Sequence, residues 1–332
     1  MAEILLEVKN LSKRFVGKQV TVHAVSNVSF TVEQGQTIGI VGESGCGKTT
    51  LGRSVVRAID ASEGSVLYRT AGGEVVDFLK LTAKELKPIR KEIQMIFQDP
   101  YSSLDPRMTV LDIISEPLKA NYPKMKKTER EQLVMEIAEK TGLNPSYLKR
   151  YPHAFSGGQR QRIGIARALV LNPRLIVCDE AVSALDVSIQ AQVINLLKDL
   201  QRQMGLTYMF ISHDLSVVEY ISDQVGVMYL GRLVEYSPTK DLYIRPLHPY
   251  TEALLSSVPI ADPTIVVEKI PLTGEIPNPA NPPTGCFFHP RCRYCTDICR
   301  QKDPSFEMLE KGHFVACHHS KELKLQGIAH YA

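Results

Sequence analysis

The fold is decided by one stretch of eight residues, Gly42-Glu43-Ser44-Gly45-Cys46-Gly47-Lys48-Thr49. Its spacing is that of a phosphate-binding loop, in which glycines let backbone N–H groups approach phosphate oxygens and a helix N-terminus adds partial positive charge. We expect Lys48 to reach the β- and γ-phosphates of a nucleotide and Thr49 to bind Mg²⁺. The alternative is a chance glycine-rich turn, which the full spacing disfavours. The predicted nucleotide contacts are Gly42, Ser44, Gly45, Cys46 (a small loop residue rather than a nucleophile), Gly47, Lys48, Thr49 and Thr50.

The residues on either side of this loop fit a strand and a helix. The residues 37–41, Thr-Ile-Gly-Ile-Val, are suited to a strand buried on both faces. After the loop, Leu51, Val55, Val56 and Ile59 recur at helical spacing. A strand, a glycine-rich loop and a helix in succession are the context that phosphate binding requires.

Farther out, short strands and helices alternate. Near the N-terminus, β-branched runs between polar turns predict strands at Ile4–Val8, Val20–Val25 and Val28–Val32. A mostly helical middle follows, in which Thr128 and Glu131 form a capping-box pattern. Later strands are predicted at Leu175–Cys178 and Tyr208–Ile211, with Gly205 ending the helix between them. This alternation predicts an α/β fold with a largely parallel sheet.

An acidic pair, Asp179-Glu180, follows the predicted strand Leu175–Cys178. We expect Asp179 to hold Mg²⁺ directly or through water, and Glu180 to act as general base or to orient the attacking water. An ordinary solvent-facing pair at a strand end is the alternative, which the phosphate-binding loop upstream disfavours.

A short motif before the acidic strand carries a family resemblance. Residues Phe155-Ser156-Gly157-Gly158-Gln159 open a predicted helix and resemble the signature of the ABC ATPase family, with Phe155 in place of the usual leucine. Ser-Gly-Gly-Gln alone is an ordinary loop, so the order and spacing of the motifs carry the resemblance. In that family the signature of one subunit closes over the γ-phosphate held by the other. The resemblance therefore implies a sandwich of two ATPase subunits, with nucleotide contacts from Ser156, Gly157, Gly158 and Gln159.

Other family elements occur in the expected order. Gln98 looks like the Q-loop glutamine that senses Mg²⁺ and water and touches the membrane subunits. Asp186 looks like the D-loop aspartate, His213 like the switch histidine on the γ-phosphate, and Phe15 like the aromatic that stacks on adenine. Taken singly, each has an ordinary alternative: a surface glutamine, a helix N-cap, a loop histidine or a core phenylalanine. The resemblance implies Glu180, His213 and Gln98 as catalytic residues and Thr49, Gln98 and Asp179 as Mg²⁺ ligands.

The resemblance extends to the C-terminal part of the chain. Residues 246–251, Pro-Leu-His-Pro-Tyr-Thr, and 282–286, Pro-Pro-Thr-Gly-Cys, are similar to dipeptide and oligopeptide importers. The implied architecture is a P-loop NTPase with a RecA-like core, an antiparallel β layer, a helical signature subdomain at about 100–165 and a small cysteine-rich C-terminal annex. We expect an ATPase domain at 1–255 and an oligopeptide-transporter-type extension at 256–332.

Four cysteines match those that bind a four-iron four-sulfur cluster in some members of that subfamily: Cys286, Cys292, Cys299 and Cys317. Four thiolates satisfy the ligand demand of such a cluster. From spacing alone zinc competes, because Cys292-x-x-Cys295 resembles a zinc ribbon and several histidines lie nearby. Unliganded cysteines are the third interpretation. We favour the iron–sulfur cluster, treat Cys295 as a non-ligand, and expect the metal to stabilise the proline-rich annex.

The start of the chain lacks the basic and apolar regions of a signal peptide, and no apolar stretch approaches the ~18 residues of a membrane span. The net charge of +3 gives no nucleic-acid footprint. We therefore expect a peripheral protein on the cytoplasmic face of the plasma membrane. The resemblance implies four partners: a second ATPase subunit that is a paralogue, two transmembrane permease subunits and an extracytoplasmic substrate-binding protein.

The function that the resemblance implies is ATP hydrolysis that energises the import of dipeptides or oligopeptides. Oligosaccharides, nickel and opines are alternative cargoes, because the fold does not fix the cargo. A non-transport ABC ATPase acting on nucleic acid or ribosomes is the more distant alternative. That class typically has coiled-coil insertions, fused ATPase domains or a basic surface, and the sequence shows none of these patterns.

Overall fold

The computed structural model describes residues 3–18, 20–99, 101–259 and 269–328. Its strands are β1 (Ile4–Val16), β2 (Thr21–Glu33), β3 (Thr37–Val41), β4 (Glu63–Arg69), β5 (Val75–Asp77), β6 (Ile93–Ile96), β7 (Leu175–Asp179), β8 (Thr207–Ile211), β9 (Gln224–Tyr229), β10 (Arg232–Pro238), β11 (Glu307–Glu310) and β12 (His313–Val315). Its α-helices are α1 (Lys48–Val55), α2 (Ala83–Ile89), α3 (Val110–Asn121), α4 (Lys127–Lys140), α5 (Gly157–Leu169), α6 (Val187–Met204), α7 (Leu215–Ile221), α8 (Thr239–Ile244), α9 (Pro249–Leu255) and α10 (Asp297–Gln301). Within these described ranges, none of the helices combines the length and apolar character needed to cross a membrane.

Two long strands stand where the sequence predicts three short ones, since β1 and β2 each run for 13 residues. The polar residues that were predicted to form turns lie inside these two strands, at positions where the backbone bends. Asn10 and Asn27 adopt left-handed backbone conformations (φ 49° and 54°), which asparagine tolerates better than most residues. The N–H of Asn10 donates to Ser29 Oγ at 2.8 Å and that of Asn27 to Ser12 Oγ at 3.0 Å, so the strands continue through the bends.

The chain divides into two compact units, and the first comprises Met1–Leu6, Val32–Gln36 and Leu67–Ile211. In it, β6, β7 and β8 are parallel neighbours, with Ile96 paired to Cys178 and Asp179 paired to Ile211. Every residue of β7 and β8 is buried. Both predicted strands are confirmed, each one residue longer than the pattern indicates.

The helices of the first unit begin and end partly where the sequence predicts. Gly205 follows α6 with φ 65°, which confirms it as the end of that helix. The predicted capping box of Thr128 and Glu131 is wrong, because α4 already begins at Lys127 and has no side-chain cap. Capping boxes instead begin α2, at Thr82, and α5, at Ser156.

The second unit comprises Glu7–Thr31, Thr37–Val66 and Ser212–Ala332. Here β3 and β9 pair in parallel, and β10, β12 and β11 continue the sheet in antiparallel order. All five residues of β3 are buried, which confirms the strand predicted before the loop. Helix α7 packs so closely on β3 that a Cβ at Gly39 would lie 2.4 Å from Val218 Cγ1.

A buried carboxylate joins the C-terminal strands to β10. Glu235 is fully buried, and its oxygens accept the N–H groups of Leu247 at 2.7 Å and His248 at 3.0 Å. Its Oε1 also lies 2.7 Å from Nε2 of His313 in β12. A buried carboxylate is tolerated when it is bonded in this way. Together with the buried side chains of Phe288 and Val315, these contacts hold the C-terminal strands in the second unit.

Candidate nucleotide site

The loop at 42–47 joins β3 to α1 in a conformation that requires glycine. Gly42, Gly45 and Gly47 have φ values of 146°, 80° and 106°. A Cβ on Gly42 would lie 2.2 Å from the Met228 carbonyl oxygen, and one on Gly47 would lie 2.1 Å from the Ala24 carbonyl oxygen. Gly42 and Gly47 are therefore required for two reasons: their positive φ, and a neighbouring backbone carbonyl that leaves no space for a side chain.

Lys48 is folded back over this loop and is 4% exposed. Its Nζ donates to the carbonyl oxygens of Gly42 at 2.7 Å and Glu43 at 2.9 Å. The neighbouring Cys46 is buried, and burial raises the pKa of its thiol, so it stays neutral. This agrees with Cys46 as a small loop residue rather than a nucleophile. The N–H of Gly231, in the turn between β9 and β10, donates to the Cys46 carbonyl at 2.9 Å and supports the loop from outside.

Two predicted catalytic side chains meet in the first unit. Gln98 Nε2 donates to Glu180 Oε2 at 2.7 Å, although the residues are 82 positions apart. Glu180 has φ 46°, a left-handed conformation that is unusual for a residue other than glycine or asparagine. Its N–H donates to the Ile211 carbonyl at 3.0 Å, so the end of β8 holds it in place. One oxygen of the Glu180 carboxylate is thus hydrogen-bonded to the side-chain amide of Gln98.

The predicted Mg²⁺ ligands have suitable chemistry. Mg²⁺ prefers oxygen ligands, and Thr49, Gln98 and Asp179 supply a hydroxyl, an amide and a carboxylate. The side-chain nitrogen of Gln98 donates a hydrogen bond to Glu180, so the amide oxygen of Gln98 is the atom that can bind a metal. Asp179 is 0% exposed at the end of β7, and a buried carboxylate costs free energy unless it is hydrogen-bonded or paired with a cation. Each of these donors, taken by itself, therefore has the chemistry that Mg²⁺ prefers.

The signature motif forms the N-terminus of α5. Ser156 Oγ accepts the Gln159 N–H at 3.4 Å, and Gln159 Oε1 accepts the Ser156 N–H at 3.0 Å. This reciprocal capping fixes where the helix starts, with Gly157 and Gly158 as its first residues. A Cβ on Gly158 would lie 2.4 Å from Ile189 Cγ2, so glycine is needed there for space. Phe155, which replaces the usual leucine, is buried.

The remaining predicted residues have separate positions. Asp186 is the N-cap residue of α6, without a hydrogen bond from its side chain to the helix. His213 is exposed, and the preceding Ser212 donates its N–H to the Ile40 carbonyl of β3 at 3.1 Å. Phe15 is 45% exposed, with Lys13 Nζ 5.0 Å from its ring centre, so it is not a core phenylalanine.

Comparison with known proteins decides the family. The ABC transporter family model matches residues 25–183, and the model of the oligopeptide/dipeptide transporter C-terminal region matches residues 234–299. The oligopeptide transport ATP-binding protein AppF of Bacillus subtilis is 53% identical over 327 residues, covering 95% of this chain and 97% of AppF. The chain belongs to the ABC transporter ATP-binding protein family. It is thus an ATP-hydrolysing enzyme with the ABC ATPase P-loop fold.

Other ABC relatives agree with this assignment. A putative peptide import ATP-binding protein of Brucella ovis is 50% identical over 313 residues, covering 94% of this chain and 97% of the relative. The dimeric cassette MJ0796 in a post-hydrolysis state with ADP and phosphate matches with a TM-score of 0.63 and 28% identity, over 71% of this chain and 99% of that one. The cassette cbiO1 of Clostridium perfringens matches with a TM-score of 0.62 and 26% identity, over 73% and 91%.

The predicted iron–sulfur cluster of this ABC ATPase is wrong. Among the described residues, no group of three or more His, Cys, Asp or Glu side chains is arranged to hold a metal ion, and this applies equally to zinc. The thiols of Cys286, Cys292, Cys299 and Cys317 do line one cavity. That cavity has room for about one water molecule, far less than a cluster of four irons and four sulfurs needs. Burial raises the pKa of Cys286, Cys292 and Cys317 to about 12, so without a metal these thiols are neutral.

Two residues that contact the phosphate-binding loop of this ABC ATPase were not predicted from the sequence. The Tyr250 hydroxyl accepts the Glu43 N–H at 2.9 Å, and Arg291 forms an ion pair with the Glu43 carboxylate at 2.7 Å. They lie 207 and 248 positions from Glu43. At such separations a single sequence carries no pattern that pairs them.

Proposed function

We propose that this chain is the ATP-hydrolysing subunit of an ABC importer for dipeptides or oligopeptides. The observation that carries the hydrolytic part is the 2.7 Å hydrogen bond between Gln98 and Glu180, next to the fully buried Asp179. The cargo class is supported by relatives that are named for oligopeptide or peptide transport and match nearly their whole length. The match of residues 234–299 to the oligopeptide/dipeptide transporter region supports the same cargo.

In this mechanism the chain binds and orients, and electrostatics supply most of the catalysis. Lys48 binds the β- and γ-phosphates, and the glycines of its loop let backbone N–H groups reach phosphate oxygens. Mg²⁺, when bound by Thr49, Gln98 and Asp179, neutralises phosphate charge. Glu180 orients the attacking water and accepts its proton, and Gln98 holds the carboxylate for that task.

Two of the other predicted residues act at the same nucleotide, and the rest face the second ATPase subunit. His213 contacts the γ-phosphate, Phe15 stacks on adenine, and Asp186 lies at the junction with the second ATPase subunit. The signature residues, Ser156 to Gln159, close over the γ-phosphate of the nucleotide held by that second subunit. Closure then pulls on the membrane subunits through the region of Gln98.

The proposed architecture is an ATPase domain at 1–255 with a RecA-like core, an antiparallel β layer and a helical signature subdomain, followed by an extension at 256–332. The proposed partners are a paralogous ATPase subunit, two permease subunits and an extracytoplasmic binding protein. This assembly places the chain at the cytoplasmic face of the plasma membrane. Nucleic acid is not among the proposed ligands, in keeping with a net charge of only +3.

Uptake by cells whose only copy of this chain carries Glu180→Gln tests the proposal. The cells are given labelled dipeptides, longer peptides, oligosaccharides and Ni²⁺ in turn, and Glu139→Gln, an exposed carboxylate on α4, is the matched control. We expect peptide uptake to be lost only in Glu180→Gln, because the purified variant still binds ATP but loses the general base. Normal peptide uptake with loss of oligosaccharide or Ni²⁺ uptake would show that the transported substrate is of that other class. Normal uptake of every substrate would refute the transport function.

A further inference from the structure

Glu43 of the phosphate-binding loop is held at three points within the second unit. Its backbone N–H donates to the Tyr250 hydroxyl at 2.9 Å, and its backbone carbonyl accepts from Lys48 Nζ at 2.9 Å. Its carboxylate receives two hydrogen bonds from Arg291, with Nη1 to Oε2 at 2.7 Å and Nη2 to Oε1 at 3.1 Å. Because Lys48 is bonded to the Glu43 carbonyl, the position of the Glu43 backbone determines where the lysine amine lies.

Arg291 is placed to hold that carboxylate firmly. It ends a short 3₁₀ helix, His289–Arg291, and its side chain is 4% exposed, against 24% for Glu43. The guanidinium also lies 5.9 Å from the ring centre of Tyr229, and the hydrogen bonds to Glu43 raise the pKa of Arg291 above its usual range. A bidentate pair in such surroundings is stronger than an exposed ion pair. Removing the arginine would leave a partly buried carboxylate without its counter-charge.

We propose that Arg291 is a positioning residue for the phosphate-binding loop and sets the affinity for ATP through Glu43. The inference rests on the ATPase function proposed above. With Arg291 present, the Glu43 charge is compensated and the carbonyl that orients Lys48 is fixed. Without it, an uncompensated negative charge remains in a loop that must bind a polyphosphate, and the loop loses one support. The cost falls on nucleotide binding rather than on turnover, so KM rises while kcat changes little.

The chain contains a close control for this arginine. Arg293, two residues away, binds the buried Glu252 of α9 at 3.0 Å, so it makes a similar contact that does not involve the loop. We measure the binding of Mg²⁺ and a fluorescent N-methylanthraniloyl ATP to the full-length wild type, Arg291→Ala and Arg293→Ala. Arg291→Ala should weaken binding by about tenfold and raise KM similarly, and Arg293→Ala should change both by less than about twofold. Equal effects of the two variants would overturn the proposal.

A second pair of variants separates positioning from simple loss of folding. Glu43→Gln combined with Arg291→Ala should bind the nucleotide better than Arg291→Ala alone, because the double variant removes the stranded charge. Arg291→Lys should recover part of the affinity, because lysine keeps the charge but not the bidentate geometry. Failure of both variants to recover affinity would refute the role of Arg291. A wild type that binds no nucleotide would instead refute the ATPase function itself, so the two failures are distinguishable.

Discussion

The phosphate-binding loop at 42–49 and the cysteine cavity lined by Cys286, Cys292, Cys299 and Cys317 both belong to the second unit, but their residues reach position in different ways. The loop is contiguous, and the backbone angles of its glycines create the site directly. The cavity depends on side chains brought together from separate loops and helix α10 between 286 and 317. Contiguous backbone sites follow from spacing alone, whereas sites made of converging side chains depend on packing that spacing does not report.

The largest expected effect concerns the thiols of the cavity. A pKa of about 12 for Cys286, Cys292 and Cys317, against 9.0 for a free thiol, lowers the thiolate fraction at pH 8 by roughly 10³-fold. Alkylation by iodoacetamide in the native protein should slow by a similar factor. Cys295, which does not line the cavity, is the internal reference, and mass spectrometry of tryptic peptides reports each rate. Fast native labelling of the three thiols would show that thiolates are present and would contradict the raised pKa values.

In the phosphate-binding loop, Lys48→Ala should weaken ATP binding by about 10²-fold. The variant loses the amine proposed to bind the phosphates and also the two hydrogen bonds from Lys48 to the carbonyls of Gly42 and Glu43. Calorimetric titration with Mg²⁺ and ATP measures the change. Lys84→Ala, an exposed lysine on α2, should bind as the wild type does. Unchanged affinity in Lys48→Ala would mean that the loop does not hold the nucleotide.

Two glycines with different surroundings, Gly45 and Gly47, test whether the backbone conformation of the loop determines ATP binding. Both Gly45→Ala and Gly47→Ala place a side chain at positive φ, which costs ~1–2 kcal/mol. Only at Gly47 does the new Cβ collide, at 2.1 Å, with the Ala24 carbonyl, whereas at Gly45 it meets nothing within 4 Å. We expect Gly47→Ala to lose about tenfold more ATP affinity than Gly45→Ala in the same titration. Equal losses would mean that dihedral strain, not close approach, governs the loop.

A pH-dependent effect on stability is expected where the two regions meet. His248 lines the cysteine cavity, and its Nδ1 accepts the N–H of Tyr250, whose hydroxyl holds Glu43. Burial lowers the pKa of His248 from 6.5 to about 3. The unfolded chain therefore binds a proton below pH 6.5 that the folded chain does not, so this residue's contribution to stability is complete above pH 6.5 and is lost as the pH falls towards 3.

Between pH 6.5 and 4.5, the unfolding free energy of the wild type should fall by about 1 kcal/mol per pH unit more than that of His248→Gln. Urea unfolding at several pH values measures the two slopes. His153→Gln, which removes an exposed histidine, should keep the slope of the wild type. Parallel slopes in all three proteins would show that His248 can be protonated without unfolding.

The parts of this protein that were predictable follow from local chemistry. Strand β3, the glycine loop and Gly205 at the end of α6 all follow from contiguous residues. The capping rule failed at Thr128, because α4 begins before it, and a capping box formed instead at Ser156 in the signature motif. The capping rule identifies a residue pair that could begin a helix. It does not tell at which residue the helix begins once the chain is packed.

The contacts that were not predictable join residues far apart in the chain. Arg291 reaches Glu43 across 248 positions, and Gln98 reaches Glu180 across 82. The family resemblance implied that Gln98 and Glu180 are both catalytic, but not that they are hydrogen-bonded to each other. The cysteine prediction failed for a related reason: four cysteines did converge on one cavity, but that cavity has room for only about one water molecule. Spacing identifies possible ligands, and only the packing of the whole unit determines the volume between them.

The left-handed backbone of Glu180 has a consequence for the evolution of this chain. At φ 46° a glutamate costs the fold about 1 kcal/mol or more that a glycine would not cost. A selection for thermal stability alone would therefore favour glycine at 180, and the proposed role of Glu180 predicts that such variants lose ATP hydrolysis. If Glu180 is the proposed general base, the retained glutamate is explained by its chemistry rather than by stability.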